Sequence, residues 1–344
     1  MSVLRIRALL EPELEVPGHR HGNPPKGARF HTRNAVAARL GRNAANYGQV
    51  VVKVIKPWAK GPLRTKAQVE YITRKGEIRC EDELGRELEG REEVREALAA
   101  WDLLRDHWEG CRTSMHLMFS MRKDTERLTE DKLVEAVRRT LREEFGSDPD
   151  PLRNRQYLFV KHSLENDPEP GHNPNPHVHA VVRYLNGRRE PIRPGPEDLW
   201  RYRETFAEKL REQGVRANAS PALERFVVER GEPDMKWYHL KQDRKRSHVL
   251  TRQDREIHEM GGTAGFAPTP GEQRYKARYT QAKYDYQAAA DALAKDSDPR
   301  AQALANVLRR YPERFTDKPV LEREARAAQY DQFRAKRGGQ EQER

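Results

Sequence analysis

The sequence predicts an α+β fold: a central, mainly antiparallel sheet flanked by helices, with a helical C-terminal region. Three observations carry this. Short apolar or β-branched runs alternate with longer segments of helical periodicity. The third and fourth of those runs follow one another with only a loop between them, which favours antiparallel pairing. Strand signals vanish beyond residue 230.

Residues 1–47 hold Pro17, Pro24, Pro25, several Arg and His and no sustained periodicity, the composition of a flexible basic arm. QVVVKVI at 49–55 is the first strand, which Pro57 is expected to end. Residues 63–75 (LRTKAQVEYITRK) form a helix stopped by Gly76. A charged helix follows at 91–108, with Val94, Leu98, Trp101 and Leu104 or Arg105 as its buried stripe. MHLMFSM at 115–121 is the second strand. Thr129 caps the next helix, Glu130 and Asp131 suit its positive end, and Leu133, Val137, Leu141 and Phe145 share a face before Gly146. The third strand is YLFVKH at 157–162 and the fourth HVHAVVRY at 177–184, with a Pro- and Asn-rich loop between. A helix at 197–213 places Leu199, Phe206 and Leu210 together and closes at Gly214. Further on, KQDRKRSHVLTRQDREIHEM and the Ala-rich stretch 286–308 read as helical, and GGTAGFAPTPGE at 261–272 as a linker. The domain plan is an arm at 1–47, an α+β domain at 48–228 and a mainly helical region at 229–344.

A chain of 344 residues suggests two domains, and 36% hydrophobic residues with a mean hydropathy of −1.02 argue against one core running through all of it. Lys and Arg number 65 against 54 Asp and Glu, a net charge of +11, which favours an anionic partner such as nucleic acid. No apolar run approaches the roughly 20 residues of a spanning helix, and MSVLRIRALLEPELEV lacks the core and cleavage site of a secretion signal. A soluble, cytoplasmic protein without membrane insertion is therefore expected. Cys80 and Cys111 are too few for a disulfide framework or an all-cysteine zinc site. The G-x-x-x-x-G-K-[ST] pattern of a P-loop motor does not occur.

His177 and His179 alternate along one strand and so point the same way, able to reach one ion. Imidazole nitrogens suit a divalent first-row metal. His162, ending the neighbouring strand, or His172, in the intervening loop, can supply a third ligand. Three histidines leave coordination positions for phosphate oxygens. Tyr71 lies near a predicted helix end with Arg74 and Lys75 at i+3 and i+4, the offsets of one helical face. Cations beside a phenol favour the phenolate and hold phosphate, the setting of a tyrosine nucleophile. The plainer readings are an isolated H-x-H and a half-buried Tyr with basic residues at a helix C-terminus. The residues by themselves leave both open.

The order QVVVKVI, QVEYITRKG, MHLMFSM, FVKH, NPHVHAVV and WRYRETFAEKLREQGVRANAS, over roughly residues 48–225, resembles the relaxase domain of conjugative and mobilisable plasmids. The resemblance is to the P-type mobilisation class of the HUH endonuclease superfamily, which includes the border-nicking endonucleases of plant-transforming plasmids. It implies that Tyr71 is the nucleophile, that His177 and His179 are the paired metal ligands, and that His162 is the first histidine of the set. It places Ser120 near the cleavage site and Arg74 and Lys75 against DNA phosphate. The implied cofactor is a divalent metal ion, Mg2+ or Mn2+. The implied activity is a site- and strand-specific nick at an origin of transfer through a covalent 5′-phosphotyrosine, religated by the reverse transesterification. Implied partners are single-stranded DNA at that origin, accessory DNA-binding proteins and a type IV secretion coupling protein, with export of the chain covalently attached to DNA. Tyr47, Trp58 and residues 18–42 are candidates for holding unstacked bases.

The chain departs from the family pattern in three places: Leu164 stands where an acid usually follows the first histidine by two, the loop between His162 and His177 is long and adds His172, and Arg183 stands where Asn is common. Three other readings stay open: a rolling-circle replication initiator of the same superfamily, a non-catalytic basic DNA-binding accessory protein and a structural zinc protein, the last least favoured because a single H-x-H has no cysteine nearby. Initiators generally carry the tyrosine downstream of the histidines, whereas Tyr71 precedes them.

Overall fold

The structure is a computed structural model; it describes residues 33–103, 111–122, 125–163, 166–167, 175–226, 255–315, 324, 327–332 and 335. In chain order its principal elements are α1 (Arg33–Ala44), β1 (Gly48–Lys60), α2 (Pro62–Ile72), β2 (Cys80–Asp82), β3 (Glu87–Leu88), α3 (Gly90–Ala99), β4 (Arg112–Met121), α4 (Glu130–Phe145), β5 (Tyr157–His162), β6 (His177–Arg183), α5 (Pro196–Glu212), β7 (Ala217–Asn218), α6 (Pro270–Ala294) and α7 (Pro299–Arg310). The fold is mixed α and β with a mostly antiparallel sheet, as the alternation of segments predicts. The sheet order is β3-β2-β5-β6-β4-β1-β7, and only the short β1–β7 pairing is parallel.

Strand alternation sorts the sheet into two faces. Val52, Leu117, Phe119, Phe159, Val178 and Ala180 point to one face, where Leu133, Val137 and Leu141 of α4 and Phe206 and Leu210 of α5 cover them. The other face presents Leu158, Val160 and Val181, packed by Val69 and Ile72 of α2, Val94 of α3, Ile78 and Trp101. Thr129 caps α4, accepting a hydrogen bond from the Lys132 amide at 3.3 Å.

Several elements differ from expectation. The first strand runs through Pro57 to Lys60, because its register against β4 shifts between Ile55 and Ala59, and such an irregularity spares the proline a ladder hydrogen bond. Residues 33–47, read as part of a flexible arm, instead form α1 and its exit. Leu40 is fully buried there, and Asn218 accepts from Arg42 Nε at 2.9 Å while its amide donates to Asn43 at 2.8 Å. The buried stripe uses arginine stems as well as Ala37 and Leu40, so an apolar-only period misses it. The helix read over 91–108 ends at Ala99; Trp101 is buried just beyond it, and residues 104–110 lie outside the described set. The two-residue strands β3 and β7 and the three-residue β2 are too short for a sequence period.

The chain divides into two units at 219/220. In the C-terminal unit, Thr269 and Glu272 form a reciprocal capping box that starts α6 inside the stretch read as a linker. Tyr279 and Tyr286 of α6 are buried against Phe226, and the Tyr286 hydroxyl donates to the Glu224 carbonyl at 2.9 Å. Most of KQDRKRSHVLTRQDREIHEM lies outside the described residues; 255–260 are helical. No helix among the described residues is long and apolar enough to cross a membrane.

Candidate active site

Sheet register builds the histidine group. His162 on β5 lies directly opposite His177 on β6, and His179 faces Val160, so all three imidazoles emerge on the α2 side of the sheet. They are buried, and one nitrogen from each falls within 4.8 Å of the others, close enough to bind one metal ion. The His162–His179 and His177–His179 ring centroids are 4.8 and 5.0 Å apart. His172 lies outside the described residues.

Hydrogen bonding sets where the lone pairs are. His162 Nε2 sits 2.6 Å from the Ile72 carbonyl, which only accepts, so Nε2 carries the proton and Nδ1 the lone pair. That buried Nδ1 has no hydrogen bond, although Asp167 Oδ2 is 3.2 Å away. A lone pair facing a carboxylate oxygen is repulsive without a cation, and this is the observation by which the residues fit a metal ion. His177 Nδ1 donates to the Asn175 carbonyl at 3.1 Å, which in the neutral ring leaves the lone pair on Nε2. Burial lowers the His162 pKa to about 4 and that of His179 further, the latter with help from His116; both rings stay neutral near pH 7, as metal ligation requires.

Two residues join the site that the sequence did not single out. His116 on β4 places Nε2 2.9 Å from His179 Nδ1, and burial lowers its pKa to about 4. Asp167 accepts from Arg74 Nε at 2.9 Å and from its terminal nitrogen at 2.8 Å, both partners almost wholly buried. A carboxylate thus does stand beside His162, five residues on rather than two. Nothing in a one-strand pattern points to it, because the turn returning it to His162 is held by Asn166, whose side chain accepts from the Ser163 amide at 2.7 Å.

Tyr71 comes from the last turn of α2. Thr65 fastens that helix to the sheet through hydrogen bonds between its hydroxyl and those of Thr113 and Ser114, at 2.8 and 2.9 Å. The tyrosine is 52% exposed, and its ring stands edge-on to His179 and His116 at 6.1 and 6.4 Å. The expected helical face of Tyr71, Arg74 and Lys75 does not form, because the helix ends at Ile72. The Thr73 hydroxyl bonds back to the Val69 carbonyl and accepts from the Gly76 amide, and Arg74 and Lys75 take left-handed φ values of 49° and 57°. Arg74 turns inward to Asp167 and donates to the Tyr71 carbonyl at 2.8 Å, with its guanidinium 4.9 Å from the Tyr71 ring centre. It braces the tyrosine instead of offering its charge to solvent. Lys75 is exposed.

Ser120 is directly opposite His177 on the same sheet face, and its hydroxyl donates to the Pro176 carbonyl at 3.1 Å. Tyr47 is buried under Arg216 and offers no open stacking face, whereas Trp58 is half-buried, edge-on to Tyr184 with Arg112 over its ring. Of residues 18–42, 18–32 lie outside the described set and 33–42 belong to α1. Comparison with models of known protein families, with curated proteins and with solved structures gives no match.

Proposed function

We propose that the chain is a DNA relaxase whose Tyr71 nicks one strand and remains attached to it. The observation that carries this reading is a solvent-exposed tyrosine ring set edge-on, 6.1 Å away, to His179 of a buried three-histidine cluster. A phenol needs help to attack a phosphodiester, and a nucleophile beside a metal-ligand set is where that help is found. His162, His177 and His179 would hold a divalent ion, Mg2+ or Mn2+, which supplies Lewis-acid stabilisation of charge on the non-bridging phosphate oxygens.

The chain's own residues do the rest. The Tyr71 oxygen loses its proton and bonds to phosphorus, the P–O3′ bond breaks, and the leaving oxygen takes up a proton to become a 3′-hydroxyl. One phosphodiester replaces another, so the reverse step reseals the strand. Arg74, anchored on Asp167, fixes the backbone at Tyr71 and keeps the ring over the histidines. Single-stranded DNA at an origin of transfer is the proposed substrate, with accessory DNA-binding proteins and a type IV secretion coupling protein as partners.

The test is a mixture of the protein with single-stranded oligonucleotides tiling the DNA beside its own gene, in Mg2+ or Mn2+. A protein–DNA adduct surviving boiling in detergent, absent in Tyr71→Phe and absent with chelator, is the expected result. An adduct that persists in Tyr71→Phe moves the nucleophile elsewhere. Tight binding with no adduct on any tile favours the non-catalytic DNA-binding reading.

A further inference from the structure

On the other flank of α2 from Tyr71 lies a cavity of about 330 Å³ between α2 and α3. Its apolar floor is Val69, Val94 and Leu98. Four cations ring it, Lys66, Lys75, Arg91 and Arg95, against one lining carboxylate, Glu70. Glu70 is taken up by Lys66 at 3.7 Å in an exposed pair, and Arg95 meets Glu92 at 3.0 Å in another. Such exposed pairs are weak and give way to a phosphate. The rim is built rather than loose. Arg91 Nε donates to the Lys75 carbonyl at 2.7 Å, and Gly76, at φ 90°, brings its backbone so near α3 that a Cβ there would stand 2.7 Å from the Arg91 nitrogen.

We infer that this groove is a nucleotide subsite for the single strand whose phosphate Tyr71 attacks. The inference rests on the proposed reading of Tyr71 and adds where the flanking strand lies. Glu70 and Thr73 line the groove while Tyr71, between them in sequence, faces the histidines, so the same turn of α2 borders both the groove and the tyrosine. The apolar floor suits a base and the cationic ring suits its phosphates, and the volume holds one nucleotide.

The probe is a fluorescein-labelled oligothymidine of about 15 nucleotides, titrated into the full chain by anisotropy across a salt series, with chelator present so that no chemistry intervenes. Lys66 and Arg95 are exposed side chains, so Lys66→Ala/Arg95→Ala keeps the wild-type thermal midpoint. It weakens binding on the order of tenfold at low salt and lowers the salt slope by roughly 0.7 for each phosphate that is no longer neutralised. Glu70→Gln removes the lining carboxylate and tightens binding. Opposite shifts in the two variants establish the groove; unchanged affinity in the double variant, or weakening in both, overturns it. The adduct assay separates this from the chemistry. At saturating DNA the double variant still forms the Tyr71 adduct if only the groove is impaired. Wild-type protein that binds through the groove yet never forms an adduct refutes the nuclease reading and leaves the subsite standing.

Discussion

A single hydrogen shared by His116 Nε2 and His179 Nδ1 orients one ligand of the cluster. Replacing His116 with Phe fills the space but removes that partner, and isothermal titration of Mn2+ is expected to show affinity falling about 10–100-fold, the usual effect of losing a residue that orients a ligand. Acid should also weaken the fold through these rings. His116 and His162 are held near 4, below their ordinary 6.5, chiefly by burial. Between those two values the unfolded chain takes up protons that the folded chain refuses, so stability is intact above pH 6.5 and drains away as the pH falls toward 4, by up to about 1.4 kcal/mol per pH unit for each proton. Urea unfolding with chelator present, at pH 7 and pH 5, should show a smaller loss for His116→Phe than for the wild type. Two of the three clustered histidines were legible in the sequence because alternation along one strand fixes the direction of His177 and His179, while the third stayed open between His162 and His172. His116 was not, since it sits inside the apolar run MHLMFSM and becomes part of the site only through the pairing of β4 with β6.

The turn after α2 is held by charge in a nearly waterless place. Arg74→Met removes the guanidinium that holds both carboxylate oxygens of the buried Asp167 beside His162 and is expected to cost about 3–5 kcal/mol in urea unfolding at pH 7. A surface role for Arg74 in gripping phosphate would instead leave stability nearly unchanged. Helix α1 is tested by Leu40→Ala. A core position predicts a loss of about 2–5 kcal/mol, where an arm residue would change stability by no more than about 0.5 kcal/mol. Long elements with a clean period, α4, β5, β6 and α5, were readable almost to their ends. The helix over 63–75 was read three residues too long because Arg74 and Lys75 are good helix formers; the Thr73 hydroxyl, folding back on Val69, overrides that propensity.

For the whole molecule, the division at 219/220 has a direct test: residues 13–219 expressed alone should give a cooperative unfolding transition and take up Mn2+ as the full chain does. Precipitation or loss of metal uptake would show that the C-terminal unit is required. The net charge of +11 pointed to an anionic partner but not to where it lies, because carboxylates accompany the cations almost everywhere and a local surplus shows only in three dimensions, as between α2 and α3. The register of β5 on β6 also makes the histidine cluster a proofreader of folding. Slipping one strand by a single residue would send His162 into the apolar layer beneath α4 while His177 and His179 stayed behind, so that register cannot assemble the three nitrogens. A metal ion bound by that cluster would favour the register that brings His162, His177 and His179 together over a pairing that separates them.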